Sequence, residues 1–150
     1  MKHKDNIFAL NFLFLIYCIL LFWILFISTE SKDRNNFYKI SYSYFIPFKH
    51  TKEVFKLAKK YHFKNGTGYA IITNIIGNIF LFIPLGIYIS LIFENYYFKE
   101  IAVVSFLISC FIEFTQHTFN VGVFDIDDII YNCLGGGVGF LITYTSKKKS

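Results

Sequence analysis

"DIDDIIYN", residues 125–132, sets three carboxylates, Asp125, Asp127 and Asp128, and the amide of Asn132 at the mouth of an apolar run. Two more polar groups stand in equally apolar surroundings. They are Asn74 with Asn78, four residues apart, and Glu113, Gln116 and His117 at i, i+3, i+4. These spacings place each group on one face of a helix. Carboxylates and amides offered together can bind a polar ligand or ligate a hard cation through several oxygens. At different depths, carboxylates can also take different protonation states and act as acid and base. The same groups have plainer uses, since Asn side chains join helices inside a membrane and an Asp at a helix start accepts orphan N–H groups. On that reading Asp128 caps the helix that follows it.

Other chemistries find little support. The EF-hand pattern fails, because Ile129 occupies the third ligand position and neither a glycine nor a closing Glu follows. No bound metal is expected; Asp125, Asp127 and Asp128 are the residues that would have to supply one. Ser105 and Ser109 lack a positioned histidine, and no Walker, Rossmann or HExxH pattern occurs, so no cofactor is expected. Cys18, Cys110 and Cys133 each lie inside an apolar run, outside any CxxC or Cys/His cluster, and read as small buried apolar residues.

The elements that must position the polar groups follow from composition. Of 150 residues, 55% are hydrophobic and 17% charged, which is too apolar for an ordinary soluble domain. A bilayer core needs about 20 apolar residues per helix. Four runs meet or approach that length, at 7–27, 71–93, 101–119 and 129–145. The first exceeds a signal-peptide h-region and lacks a small-x-small cleavage site, so it reads as an uncleaved anchor. Pro84 and Gly86 fall midway along the second and are expected to bend it. Gly135 and Gly139 form a small-xxx-small face for close helix approach, and Gly77 beside Asn78 reads the same way. The expected fold is all-α: one polytopic membrane bundle over residues 1–150, with about four transmembrane helices and an amphipathic interfacial segment at 28–70.

Within that segment "EVFKLAKKYH" sets Val54, Phe55, Leu57, Ala58 and Tyr61 against Lys52, Lys56, Lys59, Lys60 and Lys64, an apolar stripe with a basic rim that Asn65-Gly66 ends. The net charge of +5 therefore points to a membrane surface and not to nucleic acid. Four spans put both termini and the turn near Lys99 on one side. The long connection and the 120–128 turn share the other. Asn74, Asn78, Glu113, Gln116, Asp125, Asp127, Asp128 and Asn132 then lie at one depth, and Glu113 is expected to face the bundle interior. Lysines divide between the two sides, so charge alone leaves the orientation open.

In order along the chain, "FIPFK" (Phe45 to Lys49), "NIIGNIFLFIPLGI" (Asn74 to Ile87), "SCFIEFTQ" (Ser109 to Gln116) and "GVFDIDDIIYNCLGGGVGF" (Gly122 to Phe140) resemble the VanZ-like family of small bacterial integral membrane proteins. The resemblance maps the family's GN pair onto Gly77 and Asn78 and its Glu and Gln onto Glu113 and Gln116. Its DxDD-xxx-N pattern falls on Asp125, Asp127, Asp128 and Asn132. Tyr44 and Gly122 depart from it, standing where an Asn and an Arg are frequent. The resemblance implies a multi-pass protein of the bacterial plasma membrane, with the motif-bearing side extracytoplasmic. It also implies a link to lowered susceptibility to teicoplanin, a lipoglycopeptide. The first expectation is a non-enzymatic cell-envelope protein whose polar pocket meets membrane lipid and a lipoglycopeptide or cell-wall precursor. The alternative is a membrane-embedded acid/base or metal-dependent enzyme acting on a lipid-linked envelope substrate.

Overall fold

The computed structural model describes residues 2–27, 44–60, 67–93, 97–119 and 121–149. Among them every regular element is helical, as the sequence predicts. Helix α1 (Lys2–Phe22) continues into a π-helical turn (Trp23–Ile27). There follow α2 (Lys49–Lys60), α3 (Thr67–Ile92), α4 (Phe98–Thr118) and α5 (Ile126–Lys149). Much of the predicted interfacial segment, at 28–43 and 61–66, lies outside the described residues, including the Asn65-Gly66 break. The side chains of Val54, Leu57, Ala58 and Tyr61 also lie outside them.

Two boundaries differ from those expected. α3 starts at Thr67, so residues 67–70 belong to a helix and not to the surface segment. α5 starts at Ile126, which places Asp127 and Asp128 inside its first turn, where negative charge suits the positive end of the helix dipole. α3 passes through Pro84 as one helix. The proline removes one backbone donor there without ending the element.

Two stretches, Ile7–Phe26 and Thr73–Ile92, are long and apolar enough to cross a membrane. α4 and α5 have 21 and 24 residues, and each turns an apolar stripe outward. On α4 it is Val103, Phe106, Leu107, Phe111 and Phe114; on α5 it is Leu134, Val138, Leu141 and Ile142.

α5 runs between α3 and α4, and its glycines set how closely each neighbour approaches. A Cβ on Gly139 would lie 2.8 Å from the Ile87 nitrogen, and one on Gly135 would lie 2.9 Å from the Phe82 Cβ, so both glycines are pressed against α3. Gly136 turns the other way, where an added Cβ would stand 3.1 Å from the Ser105 Cβ on α4. Gly77 does not share this role: an added Cβ there meets nothing within 4 Å. Its position off the α5-facing side of α3 explains the difference from the expectation. Around the glycine contacts lie Phe82, Leu85 and Ile89 of α3 with Ile101 and Ile112 of α4.

α1 docks on α3 through aromatic side chains. The Tyr17 hydroxyl donates to the Leu81 carbonyl at 2.6 Å, and Phe14 stacks on Tyr88 with ring centroids 3.6 Å apart. The Tyr88 hydroxyl reaches Asn11 Oδ1 at 3.2 Å. These pairs run α1 antiparallel to α3, which brings Leu25 to the end of the bundle where α3 begins.

In a bilayer, where lipid tails are as apolar as leucine, such close packing carries helix association. Gly139→Leu should therefore lower the thermal midpoint of detergent-purified protein, by about 1–3 kcal/mol of overpacking. Gly77→Ala should be neutral or stabilising by up to ~1 kcal/mol, from helix propensity alone. Equal losses in both variants would contradict this packing.

Candidate functional site

The acidic residues at the start of α5 each engage a different element. Asp125 is the cap: its Oδ1 accepts the Asp127 N–H at 2.9 Å. The sequence assigns that role to Asp128, but Asp128 turns to α3 and accepts Asn74 Nδ2 at 2.9 Å. Asp125 stands just outside the helix, where a side chain can fold back on the N–H two residues ahead; Asp128 is already within the first turn.

Asp125 ties three strands of chain together. Its second oxygen pairs with His50 Nδ1, and the His50 ring stacks on Tyr44 at 4.5 Å. Its backbone N–H donates to Glu113 Oε2 on α4 at 3.0 Å. Glu113 is 3% exposed and faces the bundle interior. Tyr44 completes an isolated bridge: its N–H donates to the Phe124 carbonyl at 2.9 Å, and its carbonyl accepts the Ile126 N–H at 3.1 Å.

Asp127, 2% exposed, caps a helix other than its own. The residue before α2 is Phe48, which has no side-chain acceptor and sits at φ 60, a left-handed conformation that bulky residues rarely adopt. Asp127 supplies the missing acceptor. It receives the Phe48 N–H, the Thr51 N–H at 3.0 Å and the Thr51 hydroxyl at 2.7 Å. The Thr51 hydroxyl also lies 2.9 Å from the Tyr131 hydroxyl.

A second polar layer lies one helical turn deeper. Asn132 Nδ2 donates to Ser109 Oγ at 2.8 Å. Asn74 and Asp128 are 54 positions apart (128 − 74), as are Asn78 and Asn132 (132 − 78), so the second pair stands at the level above the first on the parallel helices α3 and α5. Asn78 Nδ2, Asn132 Oδ1 and Ser105 Oγ are buried, and none has a protein partner among the described residues. Buried polar atoms are paired in the great majority of cases, so these three are exceptions in this interior.

Gln116 stays out of this cluster. Its Nε2 donates to the Leu25 carbonyl at 3.0 Å and so pins the π-helical turn after α1 to α4. His117 is exposed. Cys18, Cys110 and Cys133 are free thiols, half-buried where burial was expected. Among the described residues no three His, Cys, Asp or Glu side chains converge as a metal-ligand group, and the three aspartates point to three different partners.

Sequence reasoning missed His50, Thr51 and Tyr131. The available signal is negative: α2 opens after Pro47-Phe48 with no Ser, Thr, Asp or Asn at its cap position, so its first-turn N–H groups must find an acceptor elsewhere.

The His50 imidazole is held above its ordinary range, chiefly by the hydrogen bond to Asp125, against desolvation; the charges of Asp125, Asp128 and Asp127 add to the rise. A raised value in the folded state means that the protonated pair stabilises the fold fully below the free value of about 6.5. That contribution is lost as pH climbs through the folded value. The thermal midpoint should fall as pH rises above about 6.5, and His50→Gln should flatten that slope. A wild-type midpoint that climbs across the same window would contradict the pairing.

No curated protein and no solved structure matches this chain. A family model described as VanZ/LLP1 does, over residues 14–147, a range that includes Phe14 and Tyr17 of the α1–α3 contact, the clip of α2 onto α5, the acidic turn and the glycine face. With two helices apolar enough to cross a bilayer, the chain is a membrane protein and belongs to the VanZ/LLP1 family.

Proposed function

We propose that this VanZ-family member is a multi-pass protein of the bacterial plasma membrane in which α1, α3, α4 and α5 all cross the bilayer, α2 lying at one surface. Support comes from the lengths of α4 and α5 and from their outward apolar stripes, which suit lipid contact. Termini and the α3–α4 turn then share one side. The clip of α2 onto α5 and the acidic turn occupy the other, which is the extracytoplasmic side.

The protein acts on the cell envelope by binding, and lowers susceptibility to teicoplanin-type lipoglycopeptides. Its polar pocket is formed by Asn74, Asn78, Glu113, Asp128 and Asn132, with Asp125 and Asp127 holding the pocket's shape. The observation that carries this reading is the set of three buried polar atoms without protein partners, one on each of α3, α4 and α5. Donors and acceptors without protein partners suit the amide and hydroxyl groups of a glycopeptide or a cell-wall precursor. An amphiphilic ligand places its lipid portion against the neighbouring apolar stripes.

Glu113→Gln and Asp128→Asn, each present at wild-type abundance, should return cells to the teicoplanin susceptibility of a deletion strain. Wild-type susceptibility in both variants, alongside a clear deletion phenotype, would reject the pocket. Susceptibility that changes only in step with lost abundance would assign these residues to folding instead.

A further inference from the structure

Helix α2 has an inner and an outer face. His50 and Thr51 turn inward to Asp125 and Asp127, so the opposite face is held outward. Lys49, Lys52, Lys56 and Lys59 lie on that face, separated by three, four and three residues, a single helical stripe. All four are exposed, and Glu53 is the acidic residue beside them. Among the described residues none of these four lysines is in an ion pair.

The chain leading into α2 exposes a different chemistry. Phe45, Ile46 and Phe48 are 67%, 61% and 44% exposed, beside the start of the lysine stripe. Three large apolar side chains gain nothing in water. On a bilayer surface they enter the acyl boundary while lysine stems lie along it and extend their ammonium groups to the phosphates. α2 sits at the end of the bundle where Asn74 meets Asp128, the depth at which α3 and α5 emerge.

We propose that α2 is a docking surface for anionic phospholipid headgroups in the leaflet that borders the polar cluster. The stripe's excess of three positive charges, four lysines against Glu53, supplies the complementarity, because an anionic leaflet draws juxtamembrane basic segments to itself. The Phe45-Ile46-Phe48 wedge selects a membrane over a soluble anion. Because the first turn of α2 is tied to Asp127 and Asp125, headgroups gripping the lysines hold the clip closed over the acidic turn. This inference rests on the proposed placement of α2 at one membrane surface and not on the lipoglycopeptide reading: it concerns the outer face of α2, and its failure leaves the pocket variants untouched.

The test is native mass spectrometry of the full chain, released from detergent with equimolar phosphatidylglycerol and phosphatidylcholine. Wild type should retain phosphatidylglycerol several-fold over phosphatidylcholine. K52Q/K56Q/K59Q should lose the preference, while K52R/K56R/K59R keeps it. K99Q/K148Q, at the opposite end of the bundle, should also keep it. Equal retention of the two lipids by wild type, or a preference that survives K52Q/K56Q/K59Q, overturns the proposal. So does competition by soluble glycerol phosphate at the lipid's concentration, which would make free phosphate the ligand.

Discussion

Carboxylates buried inside an apolar bundle must be hydrogen-bonded, and the start of α5 carries three acidic residues in four positions. That requirement organises one end of the molecule. Asp125 caps its own helix and takes His50; Asp127 caps α2; Asp128 takes Asn74 from α3; and Glu113 of α4 accepts the Asp125 N–H. Every described helix except α1 is therefore bound to one short turn of chain. α1 reaches the same end through Leu25, whose carbonyl accepts from Gln116. Removing Glu113 or Asp127 leaves donors from another element without their acceptor in a buried or half-buried setting, so stability and site geometry are coupled there.

The glycine face is the complementary device. Gly135, Gly136 and Gly139 let α5 approach α3 on one side and α4 on the other without side chains between the backbones. The close approach keeps the three helices in a fixed register. Register in turn decides which polar residues meet: with Asn74 opposite Asp128, the next turn must bring Asn78 level with Asn132. The polar layers at the surface and in the interior are thus consequences of the same contact.

Much of the framework was legible in the sequence. Hydrophobic run length gives the long helices, four-residue spacing gives the polar faces, and Gly135 with Gly139 gives a tight helix contact. What spacing cannot contain is the partner of a side chain in a distant segment. Asp125 and Asp127 read as capping or ligand residues, yet the groups they hold, His50 and Thr51, lie 75 and 76 positions away in a connection that looks like a surface segment. Gln116 shares a face with Glu113 by periodicity, but that face is wide enough for the two to serve different neighbours. Gly77 makes no close contact for a similar reason: small size permits one but does not specify the side from which a helix comes. Identity of the cap was a matter of one boundary, since moving the start of α5 from Ile129 to Ile126 transfers the role from Asp128 to Asp125.

The account rests on α5 acting through its acidic turn as the acceptor for a helix far away in sequence. A double-mutant cycle between Thr51→Val and Asp127→Asn, read as thermal midpoints of the purified full chain, addresses that link alone. Direct contact predicts strong non-additivity, with a coupling of about 0.5–3 kcal/mol and the double variant little worse than the poorer single one. Strictly additive losses would mean that the Thr51 hydroxyl and Asp127 do not interact, and would contradict the side-chain link by which α5 holds the first turn of α2.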